Sequence, residues 1–107
     1  MCIRDRYIKA APNNKWANER SKALSRYIAL EMQMNKNQAK FLQETLYDKY
    51  ARNNELASSK DLTKDEIEAV YKETFSMISQ RLLSKFTKKQ FERISELEKE
   101  KMNQLRN

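Results

Sequence analysis

Close pairs of carboxylates at Asp65–Glu66 and Glu96–Glu100 are the kind of residues from which acid–base catalysis or a metal site is built. They stand beside lysines on the polar faces of helices, however, where solvated surface is the ordinary role of such acids. A nucleophile activated by a neighbouring base is not available, because the chain contains no histidine. Glycine is absent too, which excludes a glycine-rich phosphate loop. The single cysteine, Cys2, allows no intrachain disulfide, and the usual zinc and haem ligand sets are missing. The expectation is a protein that binds and does not catalyse, with no cofactor and no metal.

What remains for chemistry is charge. The formal net charge is +7, and it is unevenly placed: residues 1–54 hold eleven Lys or Arg against five acids, residues 55–107 eleven against ten. Such a field favours nucleic acid, anionic lipid headgroups or acidic protein partners, although lysines that serve only solubility account for it as well. Trp16, Tyr27, Phe41, Tyr47 and Tyr50 lie among these cations, where they are candidates to stack on bases and equally candidates for core packing. Met32, Met34, Met77 and Met102 suit either a promiscuous surface or a gap-filled core. The charge asymmetry selects Lys22, Arg26, Lys36, Lys40 and the nearby Phe41 as the candidate partner-binding surface. Lys22 with Arg26 and Lys36 with Lys40 set like charges four residues apart, at a cost of a few tenths of a kcal/mol in helix stability. An ordinary solvated face stands as the alternative.

The elements that carry these residues are helices. With 107 residues the chain is one folding unit. Without glycine, and with Pro12 as its only proline, it lacks the residues that hairpin turns prefer, and nothing after Pro12 forces a helix to stop. Charged residues at 35% and hydrophobic ones at 39% suit helices with one apolar stripe. No apolar run approaches the roughly 18 residues of a membrane span. The first helix is expected from Lys15 to about Met34, with Trp16, Arg20, Ala23, Leu24, Tyr27, Ile28 and Glu31 at one spacing and Lys15, Glu19, Lys22 and Arg26 opposite. The second runs from Lys36 to Ala57 with Leu42, Leu46, Tyr50 and Ala57 on one face and Phe41 beside it. The third, Lys64 to about Lys85, has the cleanest stripe: Ile67, Val70, Tyr71, Phe75, Ile78, Leu82 and Phe86. The fourth begins near Lys88 and carries Phe91, Ile94, Leu97 and Leu105. Glu68 with Lys72 and Lys88 with Glu92 have the spacing of favourable helical ion pairs.

One local pattern recurs. Met34-Asn35-Lys36-Asn37-Gln38-Ala39, Leu62-Thr63-Lys64-Asp65-Glu66-Ile67 and Phe86-Thr87-Lys88-Lys89-Gln90-Phe91 each read as an apolar residue, a cap, two polar residues, Gln or Glu, and an apolar residue. This is the signature of a capped helix start with a hydrophobic staple, each cap worth about 1 kcal/mol. The first and third copies align at an offset of 52, which sets Lys36 on Lys88, Gln38 on Gln90, Leu42 on Ile94 and Glu44 on Glu96. That alignment suggests a doubled helix-hairpin unit.

In these motifs the chain resembles the Spy and CpxP-like periplasmic proteins, which carry two Leu-Thr-x-x-Gln motifs in a small four-helix chain. Phe86-Thr87-x-x-Gln90 is the better match, Met34-Asn35-x-x-Gln38 a degenerate one, and Leu62-Thr63-x-x-Glu66 a relative between them. The resemblance covers roughly residues 24–104 in layout. Neither outer motif opens with Leu, and the first has Asn for Thr. It implies an all-α protein of four amphipathic helices in helical hairpins, thin or elongated and dimeric. It also implies an ATP-independent chaperone or envelope-stress modulator of the periplasm, whose partners are unfolded or acidic protein clients. The metal-responsive branch of that family uses histidine, which this chain lacks. Two other readings stay open: a cytoplasmic basic helical protein that binds nucleic acid, and a helical interaction domain of a longer protein. Residues 1–14 are expected to be a disordered leader ahead of a helical domain at 15–107. Met1–Arg6 resembles translated sequencing-adapter DNA, so a signal peptide ahead of Tyr7 is not tested by this sequence.

Overall fold

The computed structural model describes residues 14–57, Ser59 and 61–106. Apart from Asn14, the expected leader lies outside the described residues. Four helices follow: α1 Lys15–Met32, α2 Lys36–Ala57, α3 Lys64–Leu83 and α4 Lys88–Arg106. No strand occurs among the described residues, and the all-α expectation holds.

The helix starts fall on the repeated motif because each motif satisfies its own backbone. The Asn35 side chain accepts from the Gln38 amide at 2.8 Å while Gln38 accepts from the Asn35 amide at 3.1 Å. Thr63 and Glu66 exchange the same pair of bonds at 3.2 and 3.0 Å, and Thr87 and Gln90 at 3.1 and 2.8 Å. All three are reciprocal capping boxes. At the start of α1 the Asn14 side chain accepts from the Ala17 amide at 2.9 Å. The end of α1 comes two residues before the expected Met34. Gln33 turns into the left-handed region at φ 53°, and Met34 N–H reaches back to the Ala29 carbonyl at 2.9 Å. This is a Schellman ending built on glutamine in a chain with no glycine to offer. Likewise α3 stops at Leu83 and not at Lys85, because Ser84 to Phe86 close the turn by bonding to carbonyls of the last helical turn.

The buried faces differ from the expected stripes in instructive ways. In α1 the buried residues are Ala17, Ser21, Leu24, Ser25 and Ile28, so the core face is rotated away from Trp16 and Arg20. Small residues win because α1 lies close against α2. Ser21 and Ser25 donate to the Asn18 and Lys22 carbonyls, and the fully buried Thr45 of α2 donates to the Phe41 carbonyl at 2.8 Å, so no hydroxyl of the three is stranded. In α2 the last buried residue is Leu56, and Ala57, expected on the apolar face, is exposed. The stripe of α3 splits: Val70, Thr74, Ile78 and Leu82 are buried while Tyr71 and Phe75 are exposed. In α4, Ile94 and Leu97 are buried and Leu105 is partly exposed at 38%.

The helices form a ring. α2 runs antiparallel to α1, from the Gln33–Asn35 turn to an Asn14–Asn54 side-chain bond of 3.2 Å at the far end. α3 returns along α2, pinned by Arg81 to Asp48 at 2.6 Å, and Phe86 meets Phe41 with ring centres 6.1 Å apart. α4 then closes onto α1, where the Arg20 guanidinium lies 3.9 Å from the Met102 sulfur and Tyr27 donates to Glu100 at 3.4 Å. One core cluster unites all four helices around Leu24, Ile28, Leu42, Leu46, Ile94 and Leu97. A second, small cluster of Leu56 and Val70, with Leu62 and Ile67 against it, sits where α2 hands over to α3. Principal extents of 42 × 30 × 22 Å make the body elongated and about two helices thick.

Candidate functional site

Because α4 leans on α1, its later turns stand apart from α3. The two helices join at the Ser84–Thr87 turn, and the open space between them forms a groove of about 430 Å3. Leu46 and Tyr50 of α2 lie along it. Phe75, Ile78 and Leu82 line it from α3, and Phe91, Glu98, Lys99 and Met102 from α4. Phe75 is 64% exposed, far more than a phenylalanine of a packed core. It also borders a smaller chamber of about 310 Å3, shared with Lys49, Asn53, Tyr71, Lys72 and Thr74. Phe75 and the apolar side chains beside it make this a mainly apolar opening among the helices.

The polar part of the groove is held firmly. Glu98 accepts from Lys49 at 2.8 Å and from the Tyr50 hydroxyl, and both charged side chains are mostly buried. Burial first, and the adjacent Glu98 carboxylate second, push the Tyr50 phenol well above its ordinary value. The hydroxyl thus stays protonated and keeps donating. Trp16 braces the other side of Tyr50 edge-on, with ring centres 6.0 Å apart, and carries the Arg20 guanidinium 5.4 Å above its own ring. Between α2 and α3, burial lowers the Arg52 value against the opposing pull of Asp48, and the guanidinium lies on the Met77 sulfur.

The residues selected by charge lie elsewhere. Lys22, Arg26, Lys36 and Lys40 are all exposed on α1 and α2. Phe41 is not grouped with them: it is half-buried, packs on Phe86 and has Lys85 5.9 Å above its ring, toward the α3–α4 turn. The aromatic residues considered for base stacking all have intramolecular partners. Trp16 has Tyr50 and Arg20, Tyr27 has Glu100 and Lys101, and Tyr47 accepts from the Asn14 amide at 3.1 Å. Of the carboxylates, Glu66 is in its capping box, Glu96 pairs with Arg93 at 3.1 Å and Glu100 accepts from Tyr27. No group of three or more Cys, Asp or Glu among the described residues stands close enough to hold a metal. No described helix is long and apolar enough to cross a membrane.

Sequence reasoning found the capping residues Met34, Asn35, Gln38, Leu62, Thr63, Glu66, Phe86, Thr87 and Gln90, which limit the helices and do not line the groove. It missed the groove itself. The signal was present in the width of the α3 stripe, since seven apolar positions from Ile67 to Phe86 are more than one neighbouring helix covers. Comparison with protein-family models, with curated proteins and with solved structures found no match.

Proposed function

We propose that the chain is a non-enzymatic client-binding protein, an ATP-independent chaperone or stress modulator of the bacterial envelope, which holds exposed apolar stretches of other polypeptides in the groove between α3 and α4. The observation that carries this reading is Phe75, 64% exposed on a wall that continues into Ile78 and Leu82. The capped-helix motifs and their likeness to Spy and CpxP-like proteins support the envelope assignment. The occupied aromatic side chains weigh against base stacking and so favour a protein client over nucleic acid. Lys22, Arg26, Lys36 and Lys40 add a field that draws acidic clients in, a role for exposed charge that acts on encounter more than on holding.

The test is suppression of aggregation of an unfolded model client at low and moderate salt. Wild-type protein protects at both. Phe75→Glu loses protection at both, with its melting temperature kept, because the side chain is already exposed. Reversing Lys22, Arg26, Lys36 and Lys40 to Glu slows protection at low salt only. Failure of the wild type to protect at substoichiometric to equimolar ratio removes the reading. The working form proposed is a homodimer, since Leu30 is 80% and Leu83 45% exposed outside the groove. A monomeric mass by sedimentation at tens of micromolar, on the scale of ordinary weak association, removes the dimer and leaves the groove.

A further inference from the structure

Resting on the client-binding reading, we infer that the groove takes one amphipathic helix of about three turns whose flanks are acidic. The α4 residues that line it run from Phe91 to Asn103, about 18 Å of helix at 1.5 Å per residue. An extended segment laid on Ile78, Leu82 and Phe91 would leave backbone N–H and C=O groups facing apolar side chains without partners, a cost that a helix avoids by bonding internally. The lining from α2, α3 and α4 gives a floor and two banks on which one apolar face of a helix can lie, its polar face left to solvent.

Charge sets the flanks. Around the groove and its side chamber the cations are Lys49, Lys72 and Lys99, and Glu98 is the one carboxylate among the lining residues. Glu98 is already engaged by Lys49 and Tyr50, so it offers nothing to a basic occupant. Among the described residues, Lys72 on the α3 bank pairs with the exposed Glu68 at 3.8 Å, and Lys99 stands on the opposite bank. Positive groups therefore face an occupant from both sides.

Three labelled peptides of about 14 residues, the length of a three- to four-turn helix, are titrated by anisotropy against the full chain. One has apolar residues at i, i+3 and i+7 flanked by Glu. The second keeps that pattern with Lys flanks, and the third has the first one's composition scrambled. The expected result is at least about tenfold tighter binding of the first than of either other, the scale of a small cluster of contacts. Lys72→Glu with Lys99→Glu reverses the preference between Glu and Lys flanks, and Phe75→Glu abolishes binding of the first peptide. Equal binding of the scrambled peptide overturns the helical occupant. Unchanged flank preference in the double variant overturns the charge assignment. If no peptide binds while the wild type still protects clients in a Phe75-dependent way, this inference fails and the client-binding reading stands. If protection fails as well, both fall.

Discussion

Tyr50 is the residue where burial and charge act together. Its phenol is held above its ordinary value near 10, so above that pH an unfolded chain releases a proton which the folded chain retains. The sign is therefore fixed: stability present below about pH 10 is lost as the pH rises from there. Urea midpoints measured across that range should fall more steeply for the wild type than for Tyr50→Phe, and the difference isolates this group from the lysines that titrate nearby. Gln33 offers a second residue-scale outcome. A side chain in the left-handed region costs about 1–2 kcal/mol, part of which glycine returns as unfolded-state entropy, so Gln33→Gly should stabilise by up to about 1 kcal/mol in the same experiment. Residue-scale burial was the least legible feature in the sequence. Ser21, Ser25 and Thr45 are polar by type, and they are buried because their hydroxyls bond to carbonyls of their own helix and because their small size lets α1 and α2 approach.

Helix limits, by contrast, were legible almost to the residue. Asn35, Thr63 and Thr87 find both partners within three residues, so a local sequence pattern contains the whole interaction. Thr63→Ala and Thr87→Ala should each cost about 1 kcal/mol, and the double variant should cost their sum, since the two caps sit on different helices. A clear departure from additivity in chemical denaturation would mean that the two helix starts are coupled. The faces of the helices were legible only in part, because a stripe states what is apolar and not which neighbour arrives to cover it. In α3 the 70–74–78–82 ridge is buried and the 71–75 flank is exposed, a division that no single stripe of sequence states. The Arg81–Asp48 pair belongs to this scale as the tie between α2 and α3. Asp48→Asn leaves Arg52 and Arg81 near each other without their carboxylate and should lower stability by roughly 1 kcal/mol, a modest figure because the pair is about one-third exposed.

For the whole molecule, the main core spans all four helices, whereas the α2–α3 handover rests on Leu56 and Val70 with two half-buried neighbours. Local opening should follow that division. Amides of α3 around Val70 should exchange faster in native-state hydrogen exchange than those around Ile78 and Leu82, and equal protection would show that α3 opens only as a unit. Charge asymmetry pointed to α1 and α2, and the groove lies between α3 and α4, because a cleft arises from the inclination of one helix on another and that inclination is written in no single segment. The order of the ring has a kinetic consequence. α1 with α2, α2 with α3 and α3 with α4 are pairs joined by short turns, so most of the body assembles from contacts near in sequence, the condition for folding in microseconds to milliseconds. The α1–α4 seam, through Arg20 with Met102 and Tyr27 with Glu100, and the α2–α4 contact of Lys49 with Glu98 bring distant parts of the chain together. Closing the ring therefore joins the two ends of the described chain, and it carries the largest loop-closure cost in the fold.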